Sequence, residues 1–233
     1  MSAALSLLTI FGRAQEPTAR AWRWFPVVGA AVGALVGGVW WLGDQAFPPL
    51  VAAVLVVAVD LGVTGMLHVD GLADSADGLL CHATRTERLR IMRAPEVGAF
   101  GVIAVAVVLL ARVSALSAQP PSILLIIVLW AASRTVVAAV PGFLPYARDH
   151  GIASPMLMRR PSVWPVLALI PAAVVAVAAD GVRGGAATAA TVLGAVGVAV
   201  LAKRRIGGFT GDVLGAAIVV GETLGLITAA AKW

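Results

Sequence analysis

What most limits how this chain can fold is the recurrence of long apolar stretches, at about residues 27–43, 47–67, 97–111, 123–140, 163–179, 186–202 and 212–231. A helix of about 20 apolar residues crosses the roughly 30 Å hydrocarbon core of a bilayer. Inside that core only helices or closed barrels satisfy the backbone, and the shorter stretches call for tilt or local thinning. Hydrophobic residues make up 60% of the 233 and charged residues only 12%, too apolar a mixture for a soluble domain to cover with polar surface. The same balance excludes disorder. The single cysteine, Cys81, excludes a disulfide framework and a cysteine-based zinc site. The expected fold class is all-α: a polytopic integral membrane helical bundle of about seven transmembrane helices. With no internal repeat, it is read as one membrane-embedded domain over residues 1–233.

In such a protein the position of the basic residues matters more than the net charge of +5. With the N-terminus in the cytoplasm, the cytoplasmic segments carry Arg13, Arg20 and Arg23, then Arg85, Arg88, Arg90 and Arg93, then Arg148, Arg159 and Arg160, then Lys203, Arg204 and Arg205. The opposite face keeps only Arg112, Arg183 and Lys232, and Arg134 lies inside the fourth stretch. This asymmetry predicts an N-in, C-out protein of the bacterial inner membrane. Lipid headgroups, and no nucleic acid, are the expected partners of most of these arginines. The apolar N-terminal stretch 1–11 is too short to span and reads as an interfacial helix on the cytoplasmic face. The outer connections are short, at 44–46 and 180–185, whereas the inner ones, 68–96, 141–162 and 203–211, are long and polar. Chemistry is therefore expected on the cytoplasmic side. Thr84-Arg85-Thr86-Glu87 has capping-box spacing and predicts a short helix from about Arg85 to Arg93, ended by Pro95. Its Leu89 and Met92 are expected to face the bilayer and its arginines the lipid phosphates.

Only 12 residues are acidic, and three of them fall in His68-Val-Asp70-Gly-Leu-Ala-Asp74-Ser-Ala-Asp77-Gly78. On a helix, offsets of four and seven bring Asp70, Asp74 and Asp77 onto one face. Carboxylates at that spacing repel, so a cation should compensate them. Magnesium suits one or two carboxylates shared with substrate phosphates. A second cluster, Gly207-Gly208-Phe209-Thr210-Gly211-Asp212, opens the last stretch, with Glu222 deeper in it. Gly208 and Thr210 there could approach a phosphate, and Asp212 could add a metal ligand. An intramembrane acid needs a partner; for Glu222 that is Arg134 or the metal site. Asp60, in the second stretch, is of the same kind. His68 could position a phosphate or move a proton. Arg134, Arg148, Arg159 and Lys203 adjoin polar or glycine-rich stretches and are candidates for phosphate contact.

The motif from His68 to Gly78 resembles the H-x-D-G-L-A-D-x-x-D-G signature of the cobalamin synthase family. Arg85 to Arg93, Arg134, Tyr146-Ala147-Arg148 and Gly207 to Ala216 with Glu222 also resemble family segments, over nearly the whole chain. The resemblance implies an enzyme joining adenosylcobinamide-GDP to α-ribazole, or its 5′-phosphate, with release of GMP and use of Mg2+. It places Asp70, Asp74, Asp77 and Asp212 on the metal, and His68, Asp74 and Glu222 among the catalytic candidates. Arg134, Arg148, Lys203, Gly208 and Thr210 would then lie near substrate phosphates. Asp60 stands where the family would have a neutral residue. Two other readings stay open on the residues alone. One is a CDP-alcohol phosphatidyltransferase type, although Ala73 is followed here by Asp74 rather than that pattern's arginine. The other is an ion-coupled transporter with Asp60, Arg134 and Glu222 as a relay.

Overall fold

The computed structural model describes residues 1–12, 19–148 and 167–232; Arg13, His150, Arg159, Arg160 and the start of the stretch at 163–179 lie outside the described residues. The regular elements among the described residues are helices: α1 (Ser2–Leu8), a 3-10 helix (Ala19–Trp24), α2 (Phe25–Ala46), α3 (Pro49–Val63), α4 (Leu67–Leu80), α5 (Arg85–Ile91), α6 (Ala99–Ser117), α7 (Ile123–Phe143), α8 (Leu169–Ile206) and α9 (Gly211–Ala229). One isolated parallel bridge joins Tyr146 to Phe209.

Two breaks shape the bundle. Between α3 and α4 the chain passes through Gly65 (φ 60°) and Met66 (φ 59°), and the helices on either side are bent by 89°. Left-handed backbone of this kind is natural for glycine and uncommon for methionine. The second break is inside α8, where Asp180 and Gly181 leave helical geometry. A Cβ on Gly184 would run into the Ala176 carbonyl oxygen. Residues eight apart in a straight helix are about 12 Å apart, so the chain folds back on itself here.

Five helices are long and apolar enough to cross a membrane, or six if the bent pair α3–α4 counts as one span. The stretch at 186–202 and the described part of that at 163–179 form the two arms of α8, two helices joined across the break at Asp180 and Gly181, in keeping with the expectation of about seven. Helices α7 and α9 are central, with 78% and 72% of their apolar windows buried, whereas α6 at 22% and α8 at 39% leave broad apolar faces outward for lipid. Close packing of α2 on α7 depends on Gly29, Gly33 and Gly37, which lie against the backbone of Trp130, Ile127 and Ile123. Small residues at such a spacing are how helices approach closely in a membrane, where lipid offers no hydrophobic drive.

Helix α5 forms as its capping box predicts, with Thr84 Oγ1 accepting from the Glu87 N–H at 3.4 Å. Its orientation differs from the expectation. Met92 and Arg88 are buried, not turned to lipid. The Arg88 guanidinium donates to the carbonyls of Gly78 and Leu79, both at 2.8 Å, and Arg85 donates to the Ile206 carbonyl at 2.7 Å. The last carbonyls of a helix have no partner within it, and these two arginines close the ends of α4 and α8. Arg90 alone pairs at the surface, with Glu87 at 2.7 Å. At the other end of the bundle Arg183 donates to Gln119 at 2.5 Å, next to the α8 reversal.

Candidate active site

The two acidic motifs meet because α4 lies directly against the start of α9. A Cβ on Gly71 would stand 2.7 Å from the Asp212 carbonyl oxygen, and one on Gly215 would stand 3.2 Å from His68 Cα. Helix α4 thereby carries Asp70, exposed, and Asp74, half-buried, to the edge of the bundle. Among the described residues neither has a hydrogen bond or an ion-pair partner. The negative fields of Asp212, Asp70 and Asp77 converge on Asp74, and Arg148 is the cation that opposes them. Asp212 accepts from Arg148 Nη2 at 2.6 Å and from Thr210 Oγ1 at 3.2 Å. Asp77 is buried, and its two oxygens accept the N–H groups of Gly98 and Gly101 at 2.7 and 2.9 Å. Its carboxylate thus caps the N-terminus of α6, where backbone donors lack partners.

The structure gives Gly208 and Thr210 local roles. A Cβ on Gly208 would run into the Pro145 carbonyl oxygen, and Phe209 N–H donates to that carbonyl at 3.0 Å while Ala147 N–H donates to the Phe209 carbonyl at 2.8 Å. This clasp holds Arg148 over Asp212. Thr210 Oγ1 caps α9 by accepting from the Val213 N–H at 3.3 Å. Lys203 is exposed in the last turn of α8 and bonds to none of the other candidates. His68 is buried, and its Nε2 has no partner. It lines a cavity of about 120 Å³ together with Asp70 and Asp212.

Deeper in the bundle lies a second charged group. Glu222 pairs with Arg134, as expected from sequence, and also with Arg112 at 2.7 Å. Arg112 reaches Asp60 at 2.8 Å, donates to Thr223 Oγ1 at 2.9 Å, and lies 5.5 Å from the centre of the Trp130 ring. Trp130 donates its indole N–H to Asp60 at 3.0 Å, and Ser133 donates to Glu222 at 3.0 Å. Arg112 is 3% exposed, so its assignment to the outer face is corrected. It sits at the outer end of an apolar stretch in sequence, but two membrane acids with a single basic residue require a second cation, and α6 supplies it. That requirement was the signal for Arg112.

Among the described residues no group of three His, Cys, Asp or Glu side chains is arranged to hold a metal by itself. Asp70 and Asp74, beside Asp212, supply hard oxygen donors without partners. Such a pair fits an ion that keeps waters and shares substrate phosphates.

The fold and the site define a class: a multi-pass helical membrane protein with unpaired carboxylates gathered at one end of its bundle. The chain belongs to the cobalamin-5-phosphate synthase family, whose family model matches residues 1–230. It is 33% identical to the adenosylcobinamide-GDP ribazoletransferase of Brevibacillus brevis, over 100% of this chain and 99% of that relative. The enzyme of the same name from Chlorobium phaeobacteroides is 33% identical, covering 94% of this chain and 91% of the relative. That from Leptothrix cholodnii is 38% identical over 84% and 78%. No solved structure matches the chain. Family membership sets aside the phosphatidyltransferase and transporter readings.

Proposed function

We propose that this chain is the enzyme that joins adenosylcobinamide-GDP to α-ribazole, or to α-ribazole 5′-phosphate, releasing GMP at the cytoplasmic face of a bacterial inner membrane. The family and the shared name of its relatives support the reaction. The observation that carries the site is the pair Asp70 and Asp74, partnerless among the described residues and surrounded by negative neighbours. A ribose hydroxyl forms the new O–P bond to the phosphate carried by cobinamide, and the bond from that phosphorus to the GMP oxygen breaks. Such transfers depend on positioning and on neutralising charge on phosphate oxygens.

Asp70 and Asp74, with Asp212 beside them, would hold a Mg2+ ion, which when bound neutralises the diphosphate of the substrate. A carboxylate has two oxygens, so Asp74 can also accept the hydroxyl proton. Arg148 has a buried Nε without a partner, placed to donate to a phosphate oxygen while its Nη2 holds Asp212. Asp77, Arg134 and Glu222 act from behind: the first fixes α6 against α4, and the others fix α7 against α9. Exposed Lys203, Arg204 and Arg205 meet lipid headgroups. The test is to incubate the purified protein with adenosylcobinamide-GDP, α-ribazole and Mg2+. GMP and a complete corrinoid are the expected products; intact substrates after prolonged incubation contradict the reaction.

A further inference from the structure

The cavity beside the carboxylates has walls that the phosphate chemistry does not use. Leu8, Trp22, Phe25, Val137 and Ile218 line it, so that α1, the 3-10 helix, α2, α7 and α9 all contribute apolar surface. Among the described residues its charged and imidazole lining is Asp70 and Asp212 at the site itself and His68. His68 is 5% exposed and its Nε2 lacks a partner. A buried polar atom left unpaired is costly and rare in native structures. A ligand suited to this space is small, flat and apolar, with a single ring nitrogen for the imidazole. It also carries a hydrophilic arm that reaches the carboxylates.

We propose that this cavity takes the benzimidazole base of the riboside substrate, with the unsubstituted ring nitrogen hydrogen-bonded to His68 Nε2 and the ribose directed to Asp70 and Asp212. The proposal rests on the reaction proposed above and adds the origin of base specificity. A purine would bring a polar edge against Leu8, Phe25 and Val137, where nothing pairs with it. A lipid acyl chain, the other apolar occupant, would leave the imidazole unpaired and has no use for adjoining carboxylates. A site built around one hydrogen bond rejects an analogue lacking that group far more strongly than one differing by a methyl. His68 is thereby a specificity-determining residue rather than the proton acceptor.

The experiment uses the full-length protein in lipid nanodiscs. Equilibrium binding of α-ribazole is measured without the corrinoid, with the dimethylindole riboside, which carries CH in place of the ring nitrogen, as competitor. In the unsubstituted protein the indole riboside should bind at least about tenfold more weakly than α-ribazole, and His68→Phe should abolish that preference. Val137→Phe, which fills the cavity, should raise KM for α-ribazole by about tenfold or more while KM for adenosylcobinamide-GDP stays within roughly twofold. If that variant does not fold, Val137→Ala should admit a diethylbenzimidazole riboside that the unsubstituted protein rejects. Equal binding of the two ribosides by the unsubstituted protein, or KM values that rise together in Val137→Phe, overturns the pocket. Unchanged base selectivity in Val137→Ala does the same. Tight riboside binding without any release of GMP overturns the reaction and leaves the pocket standing.

Discussion

Asp60, Arg112, Glu222 and Arg134 lie inside the bundle with each charge met by an opposite one, whereas at the α4 end Asp70, Asp74, Asp77 and Asp212 face, among the described residues, the guanidinium of Arg148. Both groups are acidic side chains on helices of a membrane protein, and they solve opposite problems. In the deep group two carboxylates and two guanidiniums cancel, and Trp130, Ser133 and Thr223 add hydrogen bonds. Arg134 Nε is buried without a partner, but no charge in the group is left for a ligand to neutralise. At the α4 end Asp77 is satisfied by two backbone amides and Asp212 by Arg148. Asp70 and Asp74 have no partner among the described residues. Charge balance therefore separates scaffold from site where residue type does not.

Breaking each side of this contrast should have different consequences. The largest effect is expected at the site: Asp74→Asn should lower turnover by about 100-fold or more, with an unchanged unfolding midpoint in detergent. In the scaffold, Arg112→Ala leaves Asp60 uncompensated and Glu222 with one cation fewer. Removing one member of a buried ion pair costs about 3–5 kcal/mol, read as a lower midpoint. Removing the charge of Asp60 as well, in Asp60→Asn with Arg112→Gln, should recover part of that loss, because Glu222 keeps Arg134. Arg148→Gln stands between the two groups. It should raise KM for adenosylcobinamide-GDP about tenfold, equivalent to roughly 1.4 kcal/mol, with little change in stability. The smallest effect belongs to the exposed pair on α5. Arg90 beside Glu87 holds its carboxyl below the ordinary value, so any stabilisation it gives exists above the unfolded-state pKa and fades as pH falls. With both side chains in solvent that contribution is screened, and the midpoints of Glu87→Gln and the parent should coincide from about pH 7 to pH 4.

Much of this contrast was legible in the sequence. The i, i+4 spacing of Asp70 and Asp74 on a helix, and the pairing of Glu222 with Arg134, follow from periodicity and from the rule that a membrane acid needs a partner. Thr84 capping α5 is equally local. What could not be read depends on contacts across long sequence separations. Asp77 shares a helical face with Asp70, yet its carboxylate goes to amides 21 and 24 residues away, which no pattern within α4 foretells. Arg88 looks like its surface neighbours until the end of α4 lies against it. Arg112 was assigned by its place at the end of an apolar stretch, while its partners are 52 and 110 residues away. The reversal in α8, by contrast, was legible: residues 180–185 read as a short connection between two spans, and the chain turns at Asp180 and Gly181.

The central claim, that the unpaired carboxylates hold the ion and the paired ones hold the fold, is tested most directly by titrating Mn2+ as a Mg2+ substitute into the nanodisc-embedded protein with adenosylcobinamide-GDP present, following bound metal by electron paramagnetic resonance. The account predicts one saturable class of metal in the parent and in Asp60→Asn with Arg112→Gln, and its loss in Asp70→Asn with Asp74→Asn. Saturable metal retained without Asp70 and Asp74, and lost instead when the Asp60–Arg112 pair is neutralised, would contradict it.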